Sequence, residues 1–397
     1  MPWKETSVMD ERMKFIGRLL SGEKMAPLCR EFGISRVTGH KLWKRYQESG
    51  AVAIQNRSRA PHSHPNRTPF EVEQAVVRLK KEKPRWGAPK IREILIKRYP
   101  DIKPPATSTV HCILDNHGLV KKKKRRKKFS SIAGYLSTPG HPNDLWCTDF
   151  KGQFRMKDRV YCFPLTITDF TSRYLISCEA LSSTAETPCY AVFEQAFKEY
   201  GMPEAIRSDN GVPFASGNSL WGMTKLSVWW IRLGIKIERI KPGNPQQNGR
   251  HERMHRTLKL AATQPPGMNQ LQQQEKFFEF INEYNHERPH QGLDMKCPAD
   301  VYRKSARSYK GLSDITYPNC DKTLLISNCG RICIKKMKVH LSKAFANQPI
   351  GLQEDDDHIW SVQFMDYHLG YFDEYSRKFA PKEDPFGIKL DLSLIHI

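Results

Sequence analysis

The first 120 residues show apolar side chains at helical spacing, separated by short polar turns. Three short helices are predicted within residues 8–49. The apolar stripe of the first consists of Met9, Met13, Ile16 and Leu20. Gly33 marks the turn after the second helix, and Ser35 is placed to cap the third, SRVTGHKLWKRYQESG. The apolar positions of that third helix are Val37, Leu42, Trp43 and Tyr46.

A glycine turn followed by a capped basic helix is typical of a helix-turn-helix unit, which we predict over residues 1–54. The segment 55–69 is rich in Pro, Ser, Asn and Arg and indicates a linker. Three further helical stretches, with a turn at RWGAP and Ser108 as the cap of the last, predict a second helix-turn-helix unit over 70–120. The run KKKKRRKK follows, and because like charges repel, 121–139 is predicted to be a basic linker.

Residues 140–305 change to alternating strands and helices in the order βββαβαβα. The predicted strands are 144–154, 160–170, 174–181, 205–209 and KIERIK. The predicted helices are 186–200, 219–234, 250–263 and 269–285, with a short one at CPADVYRK. Alternating β segments then predict a small β-barrel over 306–386, and 387–397 is left as a tail. The predicted fold class is multidomain α/β: N-terminal all-α helix-turn-helix units, a mixed five-stranded sheet core and a small all-β C-terminal domain.

The charge of the chain indicates a polyanionic partner. Its 397 residues carry a formal net charge of +22, with a pI near 9.6. No run of about 18 apolar residues exists, and the N-terminal MPWKETSVMDERMK has no apolar signal core, so no membrane partner is expected. The ten cysteines include no CxxC pair, which favours reduced thiols in a cytosol over a zinc site. Nucleic acid is therefore the expected partner.

Three carboxylates stand in motifs that could aim them at one point: Asp149 in DLWCTDFKGQF, Asp209 in AIRSDNGVPF and Glu252 in NPQQNGRHERMHRTLK. Asp149 lies in an otherwise apolar strand, where a buried carboxylate is costly unless it is paired or binds a metal. Asp209 ends a strand, and Asn210 and Gly211 bend the backbone away from it. Hard anionic oxygen ligands suit two Mg²⁺ ions, or Mn²⁺ in their place. A simple turn at SDNG and a solvated helix face at Glu252 are the plainer alternatives.

Helix geometry separates two faces of the segment that carries Glu252. At 100° per residue, Glu252, Arg256 and Lys259 fall within about 60° of one another. The opposite face is apolar and contains Met254, Leu258 and Ala261. Rival first ligands are Asp144, Asp158 and Asp169. We expect Asp169 and Asn210 to support the ligands from behind.

The motifs TDFKG, SDNG, NGRHER and YNHERPHQGL together resemble the catalytic core of DDE transposases and retroviral-type integrases. The chain as a whole is similar to bacterial insertion-sequence transposases of that superfamily. The resemblance implies a ribonuclease-H-like core with Asp149, Asp209 and Glu252 as catalytic residues and ligands of two Mg²⁺ ions. One departure is the interval of 42 residues (210–251) between the last two, which is longer than is typical, with the extra length at SGNSLWGMTK.

The implied activity is binding of the terminal inverted repeats of a mobile element, cleavage, and joining of 3′-OH ends to double-stranded target DNA. A homo-oligomer on DNA in a bacterial cytoplasm, near the nucleoid, is expected by analogy. Predicted DNA contacts are Arg36, Thr38, His40, Lys41, Lys44, Arg45, Lys121, Lys122, Lys123, Lys124, Arg125, Arg126, Arg256 and Lys259. Two alternatives stay open: a catalytically inactive DNA-binding regulator and a ribonuclease-H-like nuclease.

Overall fold

The computed structural model describes residues 7–56, 67–121, 136–241 and 245–386. The chain divides into two compact units, Met1–Pro69 and Phe70–Ile397. Most of the basic run and the tail 387–397 lie outside the described residues. Predicted DNA contacts that fall outside them are Lys122, Lys123, Lys124, Arg125 and Arg126.

Three helices form the first unit: α1 (Val8–Leu20), α2 (Met25–Glu31) and α3 (Arg36–Ser49). Their shared core consists of Phe15, Ile16, Leu28, Cys29 and Leu42. The predicted stripe of α1 is wrong, since Met9, Met13 and Leu20 are exposed. The buried face is centred near Phe15 and Ile16, rotated by roughly 80° from that stripe at 100° per residue. The large aromatic ring of Phe15 therefore determines which face of α1 packs against α2 and α3.

The start of α3 follows the sequence prediction. Ser35 Oγ accepts a hydrogen bond from the backbone N–H of Thr38 at 3.1 Å, so the predicted cap is confirmed. Gly39 lies where α3 crosses α2, and a Cβ there would come within 2.5 Å of Cys29 Sγ. Val37, predicted as an apolar packing position, is 63% exposed and does not reach the core. The helix therefore packs through its glycine and Leu42.

The second helical group belongs to the second unit and comprises α4 (Phe70–Glu82), α5 (Ala88–Arg98) and α6 (Thr107–Asn116). Its apolar core contains Val76, Leu79, Trp86, Ile91 and Val110. The predicted cap at Ser108 is wrong. The extended backbone ends at Ala106, so α6 begins at Thr107 with no side-chain cap and takes Ser108 into its first turn.

Trp86 fastens this helical group to the rest of the unit. Its side chain is 1% exposed, and Nε1 donates to Glu283 Oε1 at 3.1 Å. Lys83 lies 2.6 Å from Glu287 Oε2 and 3.5 Å from Glu283 Oε2. Burying an indole ring removes a large apolar surface from water. The turn between α4 and α5 is therefore a docking element.

The core sheet has five main strands and one short addition. The strands are β1 (Leu145–Phe150), β2 (Phe154–Arg155), β3 (Tyr161–Asp169), β4 (Leu175–Leu181), β5 (Ala205–Ser208) and β6 (Lys236–Arg239). β3 pairs antiparallel with β1, β2 and β4, whereas β1, β5 and β6 run parallel. The predicted strand 144–154 is broken, since Gly152 adopts a φ of +85° between β1 and β2. The mixed five-stranded core is confirmed, with β2 as an extra edge.

Helices cover both faces of this sheet. They are α7 (Glu186–Tyr200), α8 (Lys225–Arg232), α9 (Gly249–Ala262), α10 (Gln270–Asn282) and the short α11 (Pro298–Val301). α7 has the predicted bounds and ends at Gly201 with a φ of +76°. The predicted helix 219–234 is shorter, because the backbone turns at Leu220–Gly222 and Thr224 then caps α8.

The turn before α8 contacts the C-terminal part of the chain. Trp221 has a φ of +52° and is 7% exposed. Its Nε1 donates to the carbonyl of Lys382 at 2.8 Å, and its own carbonyl accepts from Arg239 at 2.6 Å. The extra length seen between Asp209 and Glu252 therefore forms a buried contact.

The C-terminal region is antiparallel β structure, as predicted. Its strands are β7 (Lys322–Leu325), β8 (Arg331–Ile334), β9 (Met337–His340), β10 (Pro349–Asp356), β11 (Ile359–Phe364), β12 (Tyr367–Asp373) and β13 (Lys378–Pro381). One sheet has the order β13-β12-β11-β10-β7, and β8 and β9 form a hairpin. Buried residues of this region continue into the core of the catalytic sheet. Among the described helices, none is long and apolar enough to span a membrane.

Candidate active site

The register of two parallel strands brings Asp149 and Asp209 side by side. β1 pairs with β5 so that Cys147 is opposite Arg207. Extending this register by two residues sets Asp149 opposite Asp209. Adjacent strands lie about 4.8 Å apart, and the pKa of Asp149 responds to the charge of Asp209. Backbone hydrogen bonding therefore fixes the separation of this pair.

The SDNG turn holds Asp209 at the end of its strand. Asp209 Oδ1 accepts from the N–H of Gly211 at 3.2 Å, and a Cβ on Gly211 would lie 3.0 Å from Oδ2. Asn210 donates from Nδ2 to the carbonyl of Ile240 at 2.7 Å, which ties the turn to the end of β6. The supporting role predicted for Asn210 thus has a structural basis in this contact.

Glu252 lies in the first turn of α9 with an exposed side chain. The helix buries Met254 and Leu258 against the sheet and α10, so the predicted apolar face is confirmed. Glu252 makes no hydrogen bond or ion pair with the described residues. Its charge nevertheless raises the pKa of Asp149. The glutamate is therefore near the aspartate pair and free to rotate about its own torsions.

Two histidines and two threonines fix the rotation of α9 on the sheet. The hydroxyl of Thr166 lies 2.7 Å from both His251 Nε2 and His255 Nε2, and that of Thr168 lies 2.8 Å from His251 Nδ1. Thr166 also donates to the carbonyl of Asp149 at 2.9 Å. Because β3 pairs Thr166 with Asp149, this ladder links the aspartate to the helix that carries Glu252. Sequence reasoning missed it; the spacing of His251 and His255, four apart on one helix face, was the available signal.

Electrostatics single out Asp149. Burial, together with the charges of Asp209 and Glu252, raises its pKa to about 7. His255 Nδ1 lies 3.7 Å from Asp149 Oδ2. This contact is not an ion pair, because burial and Lys151 lower the pKa of His255 to about 3 and keep the ring neutral. Burial also raises the pKa of Asp209. Lys151 acts on Asp149 through its charge, but among the described residues no cation forms an ion pair with this cluster of carboxylates, which fits a divalent cation.

The described residues include no three His, Cys, Asp or Glu side chains close enough to enclose one ion. Asp149 and Asp209 come from fixed strands, so Glu252 is the ligand that would have to turn inward. Its three side-chain torsions and lack of partners allow that movement. The donor set, hard carboxylate oxygens alone, is the set that Mg²⁺ and Mn²⁺ prefer.

The rival carboxylates are occupied elsewhere. Asp169 is 1% exposed, and its oxygens accept from Asn143 N at 2.7 Å and from Ser172 N at 2.7 Å. Asp169 pairs with Trp146, three residues along β1 from Asp149, which corresponds to about 10 Å. Asp144 accepts from the N–H of His141 at the opposite end of β1. Asp158 accepts from Val160 N in the turn after β2. The contacts of Asp169 therefore join the residue before β1 to the turn after β3.

The described residues among the predicted DNA contacts lie in three places. On α3 the side chains of Arg36, Thr38, His40, Lys41 and Lys44 are exposed, as is Lys121 after α6. Arg45 is half-buried and donates to the carbonyl of Gln55 at 3.0 Å. Arg256 and Lys259 are exposed on α9 near Glu252. Lys151, which sequence reasoning missed, follows β1 and has a pKa lowered by burial and by Lys259.

Known families match the same regions. Profiles described as integrase core domain match residues 139–245 and 233–298. A helix-turn-helix domain profile matches residues 11–62, and a homeodomain-like domain profile matches residues 38–114. The first of these two matches covers most of the first helical group, and the second runs from within α3 through most of the second helical group.

Curated relatives belong to insertion elements and retroviruses. An uncharacterized 39.2 kDa protein of insertion element IS476 from Xanthomonas euvesicatoria is 24% identical over 70% of this chain and 78% of its own length. A 31.7 kDa protein of IS407 from Burkholderia multivorans is 23% identical over 47% of this chain and 64% of its own, just under two thirds. The Gag-Pol polyprotein of walleye dermal sarcoma virus is 30% identical over 39% of this chain and 8% of its own.

Two solved structures that align with parts of this chain are retroviral proteins. The HTLV-2 integrase catalytic core domain in complex with magnesium aligns with 16% identity and a TM-score of 0.30 over 41% of this chain and 98% of its own. The simian T-cell lymphotropic virus intasome aligns with 16% identity and a TM-score of 0.37 over 72% and 95%.

Proposed function

The chain is an integrase-core enzyme of the transposase and integrase type with helix-turn-helix domains ahead of the core, and on this premise we propose that it cuts and joins DNA. The proposed substrate is the pair of terminal inverted repeats of a mobile element, and the proposed acceptor is double-stranded target DNA. One observation carries the proposal: the parallel register of β1 and β5, extended by two residues, sets Asp149 opposite Asp209, and the pKa of Asp149 is raised to about 7. A desolvated carboxylate pair near a free glutamate suits metal-assisted phosphoryl transfer.

Asp149, Asp209 and Glu252 would hold two divalent ions, Mg²⁺ or Mn²⁺. When bound, such a pair activates an attacking oxygen and stabilises the leaving oxygen. The chain's own part is positioning. The β1–β5 register sets the aspartates, the Thr166–His255 ladder sets α9, and Glu252 closes from the side. Lys151 and Lys259 supply positive charge beside the scissile phosphate.

The proposed reaction has two steps. Water first attacks a phosphodiester at the element end, which breaks the bond to the 3′-oxygen and leaves a 3′-OH on the element and a 5′-phosphate on the other fragment. This 3′-OH then attacks a target phosphodiester, the target's 3′-oxygen leaves, and no covalent protein intermediate forms. Both element ends must meet in one complex, so a homo-oligomer on DNA is part of the proposal. The exposed face of α3 would contact the element end, and the described cations Arg256 and Lys259 would contact phosphates near the cut. The place of action would be the bacterial cytoplasm.

Asp209→Asn tests the proposal. The full chain is incubated with labelled DNA from the element ends, target plasmid and Mg²⁺ or Mn²⁺. We expect joined product from the wild type and a loss of about a thousandfold or more in the variant, since an ion ligand is removed. DNA binding should be unchanged. Asp158→Asn, an exposed carboxylate in the turn after β2, is the matched control and should join DNA normally.

The products separate the alternatives. Cut but unjoined DNA from the wild type would indicate a ribonuclease-H-like nuclease. Bound but intact DNA would indicate a regulator without catalysis. Normal joining by Asp209→Asn would remove this residue from the mechanism.

A further inference from the structure

A cationic cavity of about 520 Å³ lies between α9, the turn after β3 and the segment that follows α10. It shares the Asp149 face of the sheet, because Cys147 and Thr168 form part of its wall and Cys147 is two residues from Asp149 on β1. Arg250 and Glu252 differ by about 200° around α9. The cavity therefore extends from the flank of α9 that carries Arg250 to Arg256, which lies about 40° from Glu252 around the helix.

The lining has an excess of positive charge. Five arginines and one lysine contribute to it: Arg173, Arg250, Arg253, Arg256, Arg288 and Lys90. Asp169 is the one acidic residue of the lining. Its oxygens already accept from Asn143 and Ser172, so it neutralises none of these cations by direct pairing.

Several of these groups are desolvated without a partner. Within the described parts of the chain, the side chains of Lys90, Arg173 and Arg288 make no hydrogen bond or ion pair. Arg173 Nε and His290 Nε2 are buried and unsatisfied. Burial, together with the charges of Arg288 and Arg173, lowers the pKa of Lys90 to about 7. Leaving charged donors buried and unpaired is costly, so the arrangement calls for an anion.

The backbone holds Arg173 in place. The residue has a φ of +61°, and the preceding Ser172 is fixed by hydrogen bonds to Asp169. Gly292 leaves the room for its guanidinium, since any Cβ at that position would overlap it. Arginine offers a planar fork that matches two oxygens of a phosphate. The cavity is thus organised before a ligand arrives.

We infer that this cavity is an oxyanion site that takes a phosphate group, held by Arg173, Arg288 and Lys90. Three segments far apart in sequence supply these residues: the turn after β3, the segment after α10, and α5 of the second helical group. A phosphate bound there would bridge the docked helices and the catalytic sheet. The group comes either from the backbone of bound DNA, away from the scissile position, or from a free polyphosphate.

Pyrophosphate binding to the full chain is the first test. Calorimetric titration is carried out in metal-free buffer at constant ionic strength, so that the carboxylate site does not contribute. We expect saturable binding by the wild type and about tenfold or more weaker binding by Arg173→Gln, because charge-assisted hydrogen bonds are lost. Arg159→Gln is the matched control, since Arg159 is exposed and also has a positive φ, +71°. It should bind like the wild type.

Two more variants guard against a folding artefact. Arg173→Lys keeps the charge and should retain part of the affinity, whereas Gly292→Ala keeps the arginine but displaces it and should weaken binding. Circular dichroism confirms that each variant is folded. No saturable binding by the wild type, or equal binding by wild type, Arg173→Gln and Gly292→Ala, would overturn the inference.

A DNA-binding experiment identifies the source of the phosphate. Binding of a short duplex is measured against salt concentration for the wild type and Arg173→Gln. A slope lower by about one unit in the variant, with pyrophosphate competing for the DNA, assigns the site to a DNA phosphate. An unchanged slope without competition assigns it to a free polyphosphate. Asp209→Asn should bind pyrophosphate normally, so a failure of strand joining is read separately from a failure of this site.

Discussion

The two helical groups of this chain share a three-helix plan and differ in what surrounds them. The first, α1 to α3, forms a compact unit with its own small core around Phe15. The second, α4 to α6, falls in one unit with the catalytic sheet. Its turn carries Trp86, a buried ring that bonds to Glu283. The three-helix arrangement thus forms a separate compact unit in the first group, whereas in the second group it is part of the unit that contains the core sheet.

The difference lies in a few side chains. In the first group, the turn between α1 and α2 presents Ser21, Gly22 and Glu23, which are exposed. In the second, the corresponding turn presents Lys83 and Trp86, and both contact the segment after α10. A buried indole ring and a partly exposed ion pair at this turn thus attach the second group to the segment after α10 within the same unit.

The largest expected effect comes from removing the docking ring. Trp86→Ala should lower the free energy of unfolding of the second unit by about 3–5 kcal/mol, since a buried indole leaves a cavity. Differential scanning calorimetry of the full chain measures the transition of each unit. Trp43→Ala, a half-buried ring in α3, is the matched control and should affect the first unit alone. Equal shifts of both transitions in Trp86→Ala would contradict the division into two units.

A smaller effect is expected from Gly39→Ala. The added Cβ would meet Cys29 Sγ at 2.5 Å, so α2 and α3 must separate. Overpacking of this kind costs about 1–3 kcal/mol. The first unit should melt earlier while the second keeps its transition temperature. Gly17→Ala, at a position with open space around it, is the control and should leave the first unit as stable or more stable.

The smallest effect concerns pH, and its sign should differ between the units. In the first unit, hydrogen bonds from Arg18 lower the pKa values of Glu23 and Glu31, so their contribution is lost as the pH falls through the acidic range. In the second, burial raises the pKa of Asp149 from 3.8 to about 7. The folded state then binds more protons than the unfolded state between these values, and stability falls as the pH rises.

Asp149→Asn isolates this second contribution. Without divalent ions, the variant should be more stable than the wild type by about 1–2 kcal/mol at pH 8, and equal to it near pH 4. Urea unfolding at the two pH values measures the difference. A variant that is less stable at pH 8 would show that the Asp149 carboxylate is compensated in the folded protein.

Much of the fold could be predicted from periodicity. α7, the five main strands and the positions of α9 and α10 follow their apolar patterns, because each element buries one face. The rotation of α1 could not be predicted, since two apolar stripes compete and Phe15 decides between them. The break after β1 could not be predicted, because only one residue, Gly152, interrupts a run of residues with a strand-like pattern.

The candidate site divides in the same way. The three carboxylates stand out in the sequence through their motifs, whereas the ladder from Thr166 to His251 and His255 does not. Its partners are 85 and 89 residues apart, and the contact depends on how α9 rests on β3. The cationic cavity is even harder to predict from the sequence, since Lys90 and Arg288 come together only when the second helical group packs against the segment after α10. Local patterns predict elements, and long-range packing decides which side chains meet.

The turn at Trp221 shows what the long interval between Asp209 and Glu252 does. Asp209 is located by β5 and Glu252 by α9, so the number of residues joining them does not set their separation. The surplus is taken up where Trp221 bonds to Lys382, at the seam with the C-terminal strands. In this chain, part of the interval therefore serves to attach the C-terminal strands and does not set the distance between Asp209 and Glu252.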